Sequence, residues 1–372
     1  MNQNPVSETQ QNHQNNFVII MAGGVGSRLW PFSRTSYPKQ FHDILEVGET
    51  LIQATARRFQ NICPKENIFV ITNKDYKNLV KEQLPFLSDD QVLLEPIKRN
   101  TAPCIAYASH KISVRNPDAN IIVSPADHII NDTEAFEKAI LKALKATASK
   151  DILVTLGIKP TRPDTGYGYI QFEGEQNDVR KVKTFTEKPL LPMAQQFVDS
   201  GEFVWNAGIF VWNARTIIEA IKSNLPDLHE IFSEARKDFY NEGEELAIKK
   251  AYSLCKNVSI DIGVMEKAEN VYVVMTNFEW SDLGTWKSLD SEIRKDKDKI
   301  DEDQNVVLGN ALTYNAYNNI IKTPSEKLVV VQGLSDYIIA EYDNVLLICR
   351  KEDEQKVKDL FNDAKGKGEE YI

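Results

Sequence analysis

Short runs of consecutive apolar residues, each closed by glycine, proline or a polar break, alternate with longer stretches of mixed polarity along the first part of the chain. FVIIM (Phe17 to Met21), IFVIT (Ile68 to Thr72), VLLEP (Val92 to Pro96), IIVSP (Ile121 to Pro125) and ILVTLGI (Ile152 to Ile158) have the length and continuity of strands covered on both faces. Between them Leu51 to Ile62, Asp75 to Leu84, Ala102 to Val114 and Thr133 to Ala148 read as helices. In the first of these Leu51, Thr55 and Phe59 share one face, with Thr50 placed as N-cap. Strand and helix in alternation predict an α/β fold with right-handed crossovers. Its doubly wound, mostly parallel sheet would take ligands at the carboxyl ends of its strands.

From Tyr167 to Trp212 the rhythm shortens to period-two strands (YGYIQF, VKTFTEK, FVWNAGIFVW), which predicts an inserted, more antiparallel layer walling one side of a cleft. RKDKDKIDED (Arg294 to Asp303) is dense in both charges and reads as a linker. Beyond it VVLGNALTY, NNIIKT, KLVVVQG, DYIIAEY and VLLICR predict a small all-β unit, a short β-helix or β-roll, although no repeat period is visible. The expected organisation is a fraying tail at 1–16, a catalytic domain at 17–293, the linker at 294–303 and the β domain at 304–372. The last is expected to supply the contact of a homodimer.

Composition narrows the function. A chain of 372 residues with 42% hydrophobic and 26% charged positions has ample material for a core. A formal net charge of -10 repels polyanions and argues against nucleic acid as a partner. No apolar run approaches the roughly 20 residues of a membrane span, and the polar start has no secretory character, so a cytoplasmic protein is expected. Cys63, Cys104, Cys255 and Cys349 stand far apart without CxxC spacing, against a zinc site or a disulfide framework. The five histidines form no ligand-like pattern, and no serine stands in a hydrolase motif.

The strongest local signal follows the first strand: Gly23-Gly24-Val25-Gly26-Ser27-Arg28-Leu29-Trp30-Pro31, closed by Tyr37-Pro38-Lys39-Gln40. Glycines let backbone approach a phosphate chain and donate N–H groups to it. The loop lacks the ending of a P-loop and the spacing of a dinucleotide-binding turn, and the cations Arg28 and Lys39 beside it suit a triphosphate. Asp127 at the end of IIVSPAD and Asp282 in WSDLG are carboxylates of the kind magnesium accepts, although a lone aspartate at Asp127 is equally a helix cap. Glu187 and Lys188, before Pro189, read from charge alone as an exposed ion pair.

GGVGSRLWPFSR…YPKQF resembles the signature of the nucleotidyltransferases that make nucleoside-diphosphate sugars. EPIKRNTAP, SPADH, TGYGYI, FTEKP, WNAGIF and WSDLGTW follow in the order of the mannose-1-phosphate guanylyltransferases, spanning Phe17 to Trp286. The resemblance implies a Rossmann-like catalytic fold, GTP and mannose 1-phosphate as substrates, and Mg2+ on Asp127 and Asp282. It implies nucleotide binding by Gly23, Gly24, Gly26, Ser27, Arg28, Lys39, Asn100, Thr101 and Asp127, and catalysis by Arg28, Lys39, Lys188 and Asp127. Glu187 and Lys188 become the binders of sugar and sugar phosphate, Asn206 and Gly208 line the hexose pocket, Gly168 lets backbone approach the sugar, and Asp261 faces it. Trp205 and Trp212 are expected in the core. Glu95 is the candidate reader of guanine, whose two neighbouring N–H donors match the two acceptors of a carboxylate. An ion pair of Glu95 with Lys98 or Arg99 is an equal alternative. Longer relatives carry an added isomerase module, and no mannose phosphate isomerase activity is expected here.

Overall fold

The computed structural model describes residues 13–174 and 178–372. Most of the expected tail, residues 1–12, lies outside the described residues, and Asn16 already opens the first strand. Two compact units emerge: residues up to Gly23 with Gln53–Ala126 and Ile130–Trp280, and Gly24–Ile52 with Asp127–Ile129 and Ser281–Ile372.

The first unit is built on nine strands: β1 (Asn16–Met21), β2 (Ile68–Asn73), β3 (Val92–Glu95), β4 (Asn120–Pro125), β5 (Leu153–Ile158), β6 (Tyr169–Phe172), β7 (Val179–Thr186), β8 (Phe203–Asn213) and β9 (Val271–Thr276), in the order β3-β2-β1-β4-β8-β5-β9-β7-β6. The pairs β1–β2, β1–β4, β2–β3 and β5–β9 are parallel, so Val18 lies between Ile68 and Ile122. Val18, Ile19 and Ile20 are fully buried, as strands covered on both faces must be. The helices Leu51–Arg58, Lys77–Gln83, Thr101–Arg115 and Thr133–Ser149 fall where the mixed-polarity stretches predict them.

The segment 167–212 departs from the expectation of a separate layer. Its strands are antiparallel but join the main sheet, and β8 lies between β4 and β5. The reason is packing: Ile209, Phe210, Val211 and Trp212 are all buried, so both faces of that strand must be covered. Gly157 on β5 faces it at a register shift, where a Cβ would meet Val204 at 2.6 Å and Val273 at 2.7 Å. The helices Leu191–Ser200, Ala214–Asn224, Pro226–Ala235 and Glu244–Leu254 complete this unit. No helix among the described residues is long and apolar enough to cross a membrane.

In the second unit short strands stack in parallel rungs. β10 (Val306–Leu308), β12 (Ile320–Lys322) and β14 (Tyr337–Tyr342) pair in parallel, β15 (Val345–Arg350) closes them antiparallel, and β11 (Ala311–Tyr314) pairs with β13 (Val329–Gln332). A buried asparagine ladder locks the rungs. Asn319 donates both its backbone N–H (2.9 Å) and its Nδ2 (2.8 Å) to Asn305 Oδ1, and Tyr337 N donates to Asn319 Oδ1 at 2.9 Å. These steps span 14 and then 18 residues, so no repeat period shows in the sequence. A helix at Val357–Lys365, unannounced by the strand pattern, buries Val357 and Phe361 four residues apart.

Candidate active site

Each unit carries its own group of the expected residues. In the second unit the glycine loop runs from Gly24 into a single helical turn, Ser27–Leu29. Gly26 adopts φ 73°, and a Cβ there would meet Lys39 Cβ at 2.9 Å, so conformation and space both demand glycine. Ser33 Oγ donates to Val25 O, and Gln40 Nε2 donates to Gly24 O at 3.0 Å, fixing the loop through its carbonyls. Its N–H groups are left open. Among the described residues those of Gly24, Val25, Gly26 and Ser27 donate to no protein acceptor, a donor set suited to an anion. Arg28 is exposed on the helical turn.

Lys39 is the centre of this group. It is 3% exposed, and its Nζ lies 2.8 Å from Asp127 Oδ2, 2.7 Å from the Asp282 carbonyl and 3.3 Å from that of Leu283. One ammonium therefore ties its own segment to two others, through the Asp127 carboxylate and the backbone carbonyls of Asp282 and Leu283. Burial works to raise the Asp127 carboxyl, but Lys39 and then His128 outweigh it and hold the group below its ordinary value. The helix Thr133–Ser149 takes Asp132 as its N-cap, which removes the capping alternative for Asp127. Asp282 Oδ1 accepts from Gly284 N at 3.0 Å, which orients that carboxylate. Among the described residues no three His, Cys, Asp or Glu side chains form a metal cage. The Asp127 carboxylate paired with Lys39, and the Asp282 carboxylate on the residue whose backbone carbonyl the same lysine binds, do fit a hard divalent ion that takes its other oxygens from water and phosphate.

In the first unit Glu95 ends β3, 7% exposed, and accepts from Tyr252 Oη at 3.0 Å. Burial pushes its carboxyl up to about 7, against the Tyr252 hydroxyl and Lys98, which pull it down. Arg99 points its Nε to the Tyr252 carbonyl, 3.3 Å away. A Cβ on Gly23 would come within 3.1 Å of Glu95 Oε2. Asn100, with φ 65°, caps the helix Thr101–Arg115 by accepting from Thr101 N. Thr101 Oγ1 accepts from Ile260 N at 2.9 Å. Tyr252, 157 residues from Glu95, gives no sign of this role in the sequence.

A second cluster of this unit joins the expected sugar residues. Asn206 Oδ1 accepts from Thr155 Oγ1 (2.8 Å) and Gly208 N (3.1 Å), which turns its Nδ2 onto Asp261 Oδ1 at 2.9 Å. Asp261 opens a π-helical turn. Burial first, then the charge of Glu187, raise its carboxyl to about 6. Glu187 lies over Gly168, where a Cβ would stand 2.6 Å from its Oε2. Lys188 holds φ 46°, its N–H bonded to Tyr167 O at 3.2 Å, and its Nζ lies 2.9 Å from Glu187 Oε1. Thr155 is the member of this cluster that the sequence reading missed. Trp205 and Trp212 are buried.

The model of the nucleotidyl transferase family matches residues 17–299, which include both groups. This chain belongs to that family. A second model, the MannoseP isomerase/GMP-like beta-helix domain, matches residues 309–363 of the stacked strands. Nucleotidyltransferases of this family typically use a divalent metal ion. A mannose-1-phosphate guanylyltransferase of Salmonella montevideo is 41% identical over 93% of this chain and 73% of its own. Among solved structures, a Thermus thermophilus protein described as a mannose-1-phosphate geranyltransferase superposes over 95% of this chain and all of its own, with TM-score 0.84 and 30% identity. A Helicobacter pylori protein described as a mannose-6-phosphate isomerase matches 71% of this chain and 99% of its own, with TM-score 0.58 and 28% identity.

Proposed function

We propose that this nucleotidyltransferase transfers GMP from GTP to α-D-mannose 1-phosphate, giving GDP-mannose and pyrophosphate, with Mg2+ as its metal. The observation that carries the reading is the buried Lys39 ammonium, paired with the Asp127 carboxylate and bonded to the Asp282 backbone carbonyl, in the same unit as a glycine loop with four open N–H groups among the described residues. The names of the relatives supply the substrate pair.

In the proposed reaction an oxygen of the sugar phosphate attacks the α-phosphorus of GTP in line. The bond to the β-phosphate breaks, and pyrophosphate leaves with the electron pair. A phosphate monoester has a second pKa of about 6, so the nucleophile is ionised near neutrality and needs no protein base. The protein's task is to align two anions and offset charge on the five-coordinate phosphorus. The open N–H groups and Arg28 take the triphosphate. Lys39 fixes the two aspartates, which would hold the metal. A divalent ion bound there would neutralise phosphate charge. Lys188 takes the incoming phosphate, while Glu187, Asn206 and Asp261 accept from or donate to sugar hydroxyls.

The direct test is pyrophosphate release by the purified protein with GTP, ATP, UTP and dTTP, each against mannose 1-phosphate and glucose 1-phosphate. The highest kcat/KM is expected for GTP with mannose 1-phosphate, and preference for another pair would replace the substrate assignment.

Guanine recognition gives a pH test. Glu95 must be ionised to accept both guanine N–H groups, and its carboxyl lies at about 7. Acid below that value protonates it, so GTP affinity should fall as pH drops from 8 to 6, by up to about tenfold per unit. Glu95→Gln should bind GTP weakly with a flatter profile over this range. Parallel profiles for the two proteins would remove Glu95 from the base site.

A further inference from the structure

The signature loop holds two arginines with opposite fates. Arg28 is exposed, whereas Arg34 is 3% exposed and its guanidinium is committed to backbone and side chains of the C-terminal strands and tail. Its Nη2 donates to Tyr342 O at 2.5 Å, and its Nη1 to Asn344 Oδ1 at 2.9 Å and Glu370 O at 3.1 Å. Trp30 Nε1 donates to Tyr371 O at 2.7 Å. Ile372, 2% exposed, belongs to the same buried cluster as Leu29 and Trp30. The loop from Gly24 onward is accordingly part of the unit that contains these strands.

From this we propose that Arg34 and Trp30 are positioning residues, through which Tyr342 and the segment Glu369–Ile372 hold the glycine loop in its phosphate-binding form. Arg34 spends its guanidinium donors on protein acceptors. From one rigid fork its Nη1 and Nη2 tie the loop to the Tyr342 and Glu370 carbonyls and the Asn344 side chain, while its Nε donates to Pro31 O at 3.3 Å within the loop. The proposal rests on the phosphate role given above to the Gly24–Ser27 N–H groups. A loop held open at those groups loses its donor geometry when its anchors loosen, and small misplacements at a reacting phosphate are costly.

The test compares wild type, Trp30→Phe, Arg34→Lys, Arg34→Met and a variant lacking Glu369–Ile372. Amide hydrogen exchange at the bonded loop amides of Leu29–Lys39 is expected to quicken about tenfold or more in the deletion and in Arg34→Met, while Val18–Met21 keep their protection. The KM for GTP should rise about 10–100-fold and that for mannose 1-phosphate stay within about twofold, with partial recovery in Arg34→Lys. Trp30→Phe keeps an aromatic ring, smaller than the indole, and loses the donor to Tyr371 O, so it carries the same comparison should the deletion fail to fold. Unchanged exchange in the loop, or both KM values rising together, would overturn the proposal. The exchange measurement needs no turnover, so an inactive wild type would refute the functional reading without touching the anchoring one.

Discussion

Asp127→Asn should lower magnesium-dependent pyrophosphate release by on the order of 10³, because it removes the charge that both offsets Lys39 and would bind the metal. Asparagine keeps an oxygen for the ammonium, and the carbonyls of Asp282 and Leu283 remain. The stability cost is therefore confined to about 1–3 kcal/mol, below that of stripping a buried charge of every partner. The folded carboxyl titrates below the ordinary value of 3.8. Its contribution is fully present above that value and is lost as pH falls through the depressed folded pKa. The melting difference between wild type and variant should hold steady near neutrality and shrink in acid. Turnover followed across a magnesium titration, with melts in parallel, checks both parts. Activity that ignores magnesium in wild type would refute the metal assignment, and a variant as active as wild type would remove Asp127 from it.

The residues that could be read from the sequence are those whose neighbours along the chain reveal them. β1 to β5 announce themselves as continuous apolar runs, because strands buried on both faces leave no polar alternation to misread. Gly26, Lys39 and Asp127 stand out because a glycine loop, its cation and a strand-end carboxylate are local patterns. β8 was harder. Its alternating start, Phe203 to Asn206, reads as a half-exposed strand, and only the burial of Ile209 to Trp212 shows that it sits inside the sheet. Long-range partners left no trace: the Tyr252 hydroxyl on Glu95 and the Thr155 hydroxyl on Asn206 join residues far apart in the chain. Arg34 shows the same limit. The motif that contains it gives it no role, and its commitment to Tyr342 and Glu370 appears only once the chain has folded.

Lys188→Met is expected to reduce kcat/KM by on the order of 10²–10³, the effect of losing one preorganised charge at a reacting phosphate. The backbone at Lys188 is left-handed and tied to Tyr167 O, and Pro189 restricts the chain on its other side, so the origin of the side chain is fixed. The far end is different. Its pairing with Glu187 joins a lysine side chain 61% exposed to a carboxylate 19% exposed, and a pair screened by water at its cationic end contributes about 0–1 kcal/mol. Lys188 can therefore exchange Glu187 for an incoming dianion at little cost, leaving that carboxylate free for a sugar hydroxyl. For the same reason the variant should melt almost with wild type, so that lost turnover cannot be put down to a lost fold. Because the lysine would meet the attacking phosphate and not the base, the loss should be equal with every nucleotide the enzyme accepts, and Lys188→Arg should restore part of it. Near-normal pyrophosphate release by Lys188→Met, measured over a full range of mannose 1-phosphate, would take the residue out of the mechanism and leave the attacking anion without its protein cation.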